Sequence, residues 1–201
     1  MNPTKTTAYQ KIKLLSKRIR AIPGGTSASK TFSVLLHLIN LSILDETPTL
    51  TSIVAESFPP LRRGAMRDFL MLMKATNRFY DDKWEVTNSI YTFENGSQIE
   101  FFSVDQPEKV RGARRDRLFI NEANNIPFSA FEELEVRTKE FVYLDWNPTN
   151  TFWYYEDLKG KRDDVEELTL TYLDNEALSQ EIIASIETRK ERKDWWQVYG
   201  L

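Results

Sequence analysis

The chain has 201 residues, which is enough for one domain with a full hydrophobic core and too few for two full-sized domains. Its 27 Lys and Arg against 30 Asp and Glu give a net charge of −3, so any contact with a nucleic acid must come from a local basic patch. Zero Cys and a single His exclude disulfides, thiolate metal sites and a multi-histidine zinc site. Because we find no signal peptide and no apolar run of about 18 residues, the sequence predicts a soluble intracellular protein.

The amino-terminal part of the chain alternates between strand and helix patterns. A weakly amphipathic helix over residues 4–17 precedes a strand over 18–22, and a Pro-Gly-Gly turn leads into an apolar helix over 30–44. A strand over 50–55 and a helix over 59–77 follow. This order is typical of a parallel sheet flanked by helices.

Two β-rich runs interrupt this pattern. Residues 84–93 and 98–104 are joined by a turn that contains Asn95-Gly96, a strong hairpin signal, so we expect an inserted β-hairpin here. The pattern then resumes with a strand, a helix and a strand, over residues 117–121, 127–138 and 140–144.

The carboxyl-terminal part begins after a charged turn. Residues 165–172 alternate as a strand and residues 178–192 form an amphipathic helix pattern. We therefore divide the chain into a core at 1–164 and a strand with a small helical lid or linker at 165–201. The sequence ends on an apolar run, which leads us to expect a further domain downstream.

The strongest chemical signal lies between the first strand and the apolar helix. It runs Gly24-Gly25-Thr26-Ser27-Ala28-Ser29-Lys30-Thr31 and matches the phosphate-binding pattern G-x-x-x-x-G-K-[ST], except that Ser29 stands at the second glycine. In such a loop the backbone N–H groups surround a phosphate, Lys30 neutralises the outer phosphates and Thr31 ligates magnesium. If the loop needs a positive φ at Ser29, its side chain costs about 1–2 kcal/mol. The alternative is a plain turn followed by a helix cap.

A second signal is Glu122, which follows the strand over 117–121. Hydrolysis needs a carboxylate near the γ-phosphate to polarise the attacking water, and Glu122 is placed for that role. Asn121 stands where an aspartate is usual. Its amide oxygen can accept from magnesium-bound water without carrying charge, so metal affinity should be lower. The alternative for Glu122 is an ordinary solvated acid at a strand end.

A third signal is Asn147, which follows the strand over 140–144. An amide at this position could sense the γ-phosphate or its water and pass the difference to the next loop. The alternative is a turn fixed by Pro148.

Two basic groups complete the candidates. Guanidinium groups suit phosphates, either as an arginine finger or as contacts to a nucleic-acid backbone. The alternative for both groups is a solvated face. The first group is Arg111, Arg114, Arg115 and Arg117, and the second is Arg62, Arg63 and Arg67.

Further motifs follow the phosphate loop. They are Asn95-Gly96-Ser97-Gln98-Ile99-Glu100-Phe101, Lys109-Val110-Arg111-Gly112, Phe119-Ile120-Asn121-Glu122-Ala123, Asp145-Trp146-Asn147-Pro148 and Tyr172-Leu173-Asp174-Asn175. In this order and spacing the set resembles the large terminase subunit of tailed bacteriophages, over nearly all of the chain. The resemblance implies an α/β fold of the ASCE-type P-loop NTPase class, with a mainly parallel central sheet flanked by helices.

The same resemblance implies an ATP hydrolase, the motor domain that drives double-stranded DNA into a procapsid with ATP and Mg²⁺. The implied partners are double-stranded DNA, the portal protein, the small terminase subunit and other copies of the chain in a ring, with no membrane. The implied location is the host cell cytoplasm and, transiently, the procapsid portal. The domain expected downstream would be an RNase H-like nuclease.

The resemblance also assigns residues. Lys30 and Glu122 would be catalytic, the loop from Gly24 to Thr31 would bind nucleotide, and residues 145–147 would resemble a coupling motif that includes Asn147 as a nucleotide contact. Thr31 and Asn121 would form the metal site.

Because Thr26 stands where the family often has arginine, the catalytic arginine is expected from the first basic group, in the same subunit or a neighbouring one. The candidates are Arg111, Arg114 and Arg115. Tyr9 and Gln10 are the candidates for adenine contacts. Since Asn121 and Ser29 depart from the family pattern, a nucleotide-gated DNA-binding or scaffold module with weak or lost hydrolysis stays open. A small P-loop phosphotransferase is disfavoured, because we see no acceptor module.

Overall fold

The computed structural model describes residues 6–112 and 114–199, and these form one eight-stranded sheet with helices around it. The strands are β1 Ile19–Pro23, β2 Leu50–Ala55, β3 Trp84–Glu85, β4 Ile90–Thr92, β5 Gln98–Ser103, β6 Arg115–Ile120, β7 Thr138–Trp146 and β8 Val165–Glu167. They lie side by side in the order β3-β4-β5-β2-β6-β7-β1-β8. The pairs β3–β4 and β4–β5 are antiparallel and the other pairs are parallel, which confirms the mainly parallel sheet.

Helices pack on the faces of the sheet. They are α1 Thr7–Lys13, α2 Lys30–Leu44, α3 Phe58–Leu61, α4 Arg67–Ala75, α5 Pro107–Val110, α6 Phe128–Glu135, α7 Gln180–Glu187 and α8 Lys193–Tyr199. Within the described ranges, every helix is too short or too polar to cross a lipid bilayer.

The core has two apolar layers, one on each face of the sheet. Residues of α1, α2 and α4 pack with Ile22 and Phe101 on one face, whereas α5 and α6 pack with Ile19 and Trp153 on the other. Because β1 buries side chains on both faces, its sequence is an apolar run rather than an alternating one.

The helix predicted over 59–77 is one continuous rod with a defect. α3 begins with Pro59 in its first turn, a single π-helical turn covers Arg62–Met66, and α4 continues from Arg67. A π-turn is rare and shifts the helical phase by inserting one residue, so Arg62 and Arg63 are turned outward while Met66 stays buried.

The predicted hairpin is confirmed, and it extends the main sheet. β4 and β5 pair in antiparallel register with Tyr91 opposite Ile99. The first run is shorter than expected, because residues 86–89 turn away between β3 and β4. β5 also pairs in parallel with β2, so the hairpin joins the sheet edge.

The carboxyl-terminal segment contacts the sheet through β8, which pairs in parallel with β1. Leu170 then forms an isolated bridge with Gly24, at the start of the phosphate loop. A Cβ atom added to Gly24 would lie 2.0 Å from the carbonyl oxygen of Leu170, so only glycine fits there. The division of the chain at residues 164 and 165 stays a prediction.

Candidate functional site

The phosphate loop connects the end of β1 to the start of α2. Ser29 has φ 61° and ψ 22°, the left-handed conformation that favours glycine. Its hydroxyl lies 3.3 Å from the hydroxyl of Ser33. Ser29, which replaces the second glycine of the pattern, is therefore the one loop residue whose backbone conformation is strained by its side chain.

Lys30 is buried at the centre of this loop, with 7% of its surface exposed. Its Nζ donates to the carbonyl oxygens of Gly24 at 2.6 Å and Gly25 at 2.8 Å, and to Asn147 Oδ1 at 2.9 Å. Burial lowers the pKa of Lys30 from 10.5 to about 8, and the carboxylates of Asp145 and Glu122 oppose that shift. The lysine is therefore close to losing its charge at mildly basic pH.

A buried carboxylate lies beside Thr31. Asp145, at the end of β7, is 1% exposed and accepts from Thr31 Oγ1 at 2.5 Å through Oδ2. Its Oδ1 accepts from Asn121 Nδ2 at 2.9 Å and from the backbone N–H of Glu122 at 2.8 Å. Asn121 Nδ2 also lies 3.3 Å from Thr31 Oγ1. These contacts bring three chain segments together at the carboxyl edge of the sheet.

Glu122 leaves β6 in a left-handed conformation, with φ 56° and ψ 54°. Such backbone strain in a non-glycine residue is concentrated at functional sites. Asn125 Nδ2 donates to Glu122 Oε2 at 3.1 Å. Desolvation and the charge of Asp145 raise the pKa of Glu122, while Asn125 and Lys30 lower it. The raised pKa suits a general base better than that of a fully hydrated glutamate.

Asn147 links the end of β7 to both ends of the loop. Its Oδ1 accepts from Lys30, and its Nδ2 donates to Thr26 Oγ1 at 3.2 Å. From the other side, Asn175 Nδ2 donates to the carbonyl oxygen of Ser27 at 2.8 Å. The loop is thus fixed by amide side chains from two separate segments.

The three candidate arginines do not share one location. Arg115 is the first residue of β6, about 20 Å along the strand from Glu122 at the rise of a β-strand. It is 3% exposed, and its guanidinium donates to Ser52 Oγ and to the carbonyl oxygen of Leu134. The prediction that Arg115 is catalytic is therefore wrong, because a buried, hydrogen-bonded group at the opposite sheet edge cannot reach a phosphate.

Arg114 and Arg111 are exposed. Arg114 lies beside Arg115 at the amino edge of the sheet, so within one subunit it is also far from the loop. Arg111 caps α5, which follows the carboxyl end of β5. A role for either as a finger stays a prediction.

A cavity of about 720 Å³ lies next to the phosphate loop. Ser27 and Ser29 line one side, and apolar side chains that include Phe32 and Met71 line another. Tyr9 is not among the described residues that line it. The Tyr9 ring is buried in the core and its hydroxyl accepts from Asn40, while Gln10 is exposed on α1.

Two residues of the candidate site give only a weak signal in the sequence. Asn125 follows Glu122 by three positions in a tight turn, and that spacing was the available signal. Asp145 stood out only as part of a motif, because its contact with Thr31 depends on which strands are neighbours.

Comparison with known proteins supports the same architecture. The large terminase of a thermophilic bacteriophage, in complex with ATP-gamma-S, superposes with a TM-score of 0.76 at 16% identity, over 98% of this chain and 52% of that one. The large terminase ATPase domain of Thermus phage P74-26 superposes with a TM-score of 0.66 at 16% identity, over 96% and 91% of the two chains. The Phi-28 gp11 DNA packaging motor gives 0.54 at 13% identity, over 95% and 66%.

These likenesses show that the chain has the α/β fold of the large terminase ATPase domain. The chain spans about half the length of the large terminase that was solved with ATP-gamma-S. A search of curated proteins by sequence finds no match. A family model described as phage terminase large subunit matches residues 16–199. Because that match covers most of the sequence, the chain belongs to the phage terminase large subunit family.

Proposed function

We propose that this chain is the ATPase motor domain of a viral DNA-packaging terminase, which hydrolyses ATP to move double-stranded DNA into a procapsid. The observation that carries the proposal is the convergence of Lys30, Thr31 and Glu122 around the buried Asp145 at one sheet edge. Family membership and the similar large terminase with bound ATP-gamma-S support a nucleoside triphosphate at this loop.

Binding of the triphosphate is the first task of these residues. We assign phosphate contacts to backbone N–H groups at the start of α2, because a helix leaves its first N–H groups without internal partners. Lys30 exchanges its bonds to the Gly24 and Gly25 carbonyls for phosphate oxygens. The nucleoside is placed in the neighbouring cavity, where Phe32 and Met71 offer apolar surface for a base.

The donor set at Thr31 fits magnesium. The Thr31 hydroxyl is a hard oxygen atom of the kind that Mg²⁺ takes, usually with retained waters and substrate phosphates, and a buried carboxylate lies beside it. Among the described residues, no group of three or more acidic, His or Cys side chains could hold a metal alone. When bound, the ion neutralises charge on the β- and γ-phosphate oxygens.

Glu122 is proposed as the base that orients and deprotonates the attacking water. Asn125 fixes its Oε2, and the left-handed backbone turns the side chain out of the strand direction. The hydrogen bond from Asn125 and the charge of Lys30 both lower the pKa of Glu122, against desolvation, which raises it.

Assembly into a ring would bring an arginine of a neighbouring subunit to the γ-phosphate, where it would offset negative charge. Arg111 is exposed on α5 and is the best placed candidate for a finger that reaches a neighbouring subunit. Activity per subunit should then rise with protein concentration.

Contact with DNA is assigned to exposed arginines. Arg62 and Arg63 point outward from the π-turn that follows the carboxyl edge of β2. A net charge of −3 does not oppose this role, since a motor must release its track, and a few phosphate contacts suffice. Further partners of this assembly are proposed to be the portal protein and the small terminase subunit, at the procapsid portal in the host cytoplasm.

Replacement of Lys30 tests the proposal. We expect Lys30→Ala to abolish ATP hydrolysis measured with DNA present, while Lys139→Ala, at a lysine whose side chain is 78% exposed, keeps wild-type turnover. Wild-type turnover in the Lys30→Ala protein would refute the assignment of the loop.

The second candidate is a nucleotide-gated DNA-binding or scaffold module. The uncharged Asn121 favours it, because a weaker metal site slows hydrolysis. Nucleotide affinity without phosphate release, even with DNA and high subunit concentration, would decide for this alternative.

A further inference from the structure

Asp145 is not part of the phosphate-loop pattern itself, yet it is the most buried acid at the site. The residue is 1% exposed, and its carboxylate accepts three hydrogen bonds, from Thr31, Asn121 and the Glu122 backbone. All three of these donors are uncharged groups. Burying a charge is costly unless it is well paired, so such an acid is retained for structure or for function.

The sheet order explains why Asp145 reaches this place. β7 lies between β6 and β1, with Ile120 level with Leu144 and Ile22 level with Asp145. Asn121 and Asp145 are therefore the next positions on two adjacent parallel strands. Both side chains project from the carboxyl edge toward the start of α2.

The orientation of the Asn121 amide fits a carboxylate on the neighbouring strand. Its amide nitrogen lies within hydrogen-bonding distance of both Asp145 Oδ1 and Thr31 Oγ1. Since a carboxylate only accepts, the amide must present its N–H group there. A second carboxylate at position 121 would place two negative charges side by side. The asparagine is thus the complement of an acid on the neighbouring strand.

We propose that Asp145 supplies the magnesium-site carboxylate of this chain in place of residue 121, as a positioning residue that acts through Thr31 and metal-bound water. The inference rests on the proposed function, because it needs a nucleotide with Mg²⁺ at the loop. It assigns the charge to the end of β7, two residues before Asn147. The carboxylate beside Thr31 and the amide that contacts Lys30 then come from one chain segment.

The test measures nucleotide binding instead of turnover. Fluorescent ATP-gamma-S is titrated into the full chain with Mg²⁺ and with EDTA, and the ratio of the two dissociation constants gives the magnesium-dependent gain. Loss of an outer-shell partner typically weakens metal binding by about 10- to 100-fold, so Asp145→Asn should reduce the gain by at least about 10-fold. The dissociation constant of Asp145→Asn measured in EDTA should stay within about threefold of the wild-type value.

The exchanged variant Asn121→Asp/Asp145→Asn is the matched control. It keeps one amide and one carboxylate in contact but moves the charge to β6, and it should recover the gain to within about threefold. If Asp145→Asn keeps the full gain, or if the folded exchanged variant does not recover it, the proposal is overturned.

Two further outcomes concern folding of the variant and nucleotide binding by the wild type. If Asp145→Asn fails to fold, the exchanged variant decides alone, by the same criterion. If the wild-type chain binds no nucleotide with or without Mg²⁺, the proposed function fails, and the inference that depends on it fails with it.

Discussion

Lys30 donates to Asn147 Oδ1 at 2.9 Å, so the lysine of the phosphate loop is tied to the end of β7. The same amide donates to Thr26 at the other side of the loop. When phosphate oxygens replace the Gly24 and Gly25 carbonyls at Lys30, the bond to Asn147 still joins the lysine to the end of β7. We therefore propose Asn147 as the residue through which the strand end responds to nucleotide.

Nucleotide affinity should fall as pH rises through the pKa of Lys30, about 8 in the free protein. Phosphate binds the charged lysine, so deprotonation must be reversed on binding, at a cost of up to about tenfold in affinity per pH unit. Fluorescence titrations between about pH 7.5 and 9.5 measure the slope. The Lys30→Met protein should bind weakly and without that slope, and a flat wild-type profile would contradict the assignment.

Turnover should fall at acid pH as Glu122 becomes protonated, and the pH of this fall, the acid limb of the profile, should depend on Asn125. Its bond to Glu122 lowers the pKa of that carboxyl, so Asn125→Ala should raise that pKa further and move the acid limb of the profile to higher pH. Turnover measured across pH gives the shift. Asn124→Ala is the matched control, because Asn125 is the residue that donates to Glu122, and equal shifts in both variants would exclude the proposed contact.

Ser29→Gly should stabilise the protein by about 0.5–1 kcal/mol, because relief of the left-handed strain exceeds the extra entropy that glycine loses. Thermal unfolding should show a rise in Tm of about 2 °C. Ser27→Gly in the same loop lacks the positive φ and should have the opposite sign. A lower Tm for Ser29→Gly would show that the bond to Ser33 outweighs the strain.

The roles of Arg115 and Arg111 can be separated in one experiment. Arg115→Met should destabilise the fold by about 2–4 kcal/mol, since it removes a buried, hydrogen-bonded cation. The free energy of unfolding of Arg111→Ala should lie within about 0.5 kcal/mol of the wild-type value, because Arg111 is exposed. Denaturant unfolding measures both.

Mixing tests the finger in a neighbouring subunit. Inactive Glu122→Gln protein should restore turnover to Arg111→Ala protein and should not restore it to Arg115→Met. Turnover of Arg111→Ala that equals wild type would remove this residue from the mechanism.

The cavity beside the loop should bind the base. Met71→Ala removes an exposed apolar wall and should weaken ATP binding about 3- to 10-fold, while binding of inorganic tripolyphosphate stays unchanged. Calorimetric titration with both ligands makes the comparison. An equal loss of affinity for ATP and for tripolyphosphate would show that the base does not bind in this cavity.

Much of the fold could be predicted because its patterns are local. α2 and β2 have the bounds that the sequence indicates, since each apolar run is closed by turn residues at both ends. The hairpin was found from Asn95-Gly96, and Gly96 has the positive φ that such a turn needs.

The parts that failed depend on neighbours far away in the sequence. β6 begins at Arg115, two residues earlier than its apolar run indicates, and alternation then buries both Arg115 and Arg117. Arg117 is paired with Asp45 and Glu140, each at 2.7 Å. A cluster of arginines therefore contains structural and exposed members that composition cannot separate. Asp145 was undervalued for the same reason, because only the order of the strands places it beside Thr31.

The most direct test of the central claim is a crystal structure of the chain with ATP-gamma-S and Mg²⁺. Our account predicts the triphosphate enclosed by residues 24–31, with Lys30 released from the Gly24 and Gly25 carbonyls and Glu122 facing the γ-phosphate. A nucleotide bound elsewhere, with Lys30 still donating to those carbonyls, would contradict it.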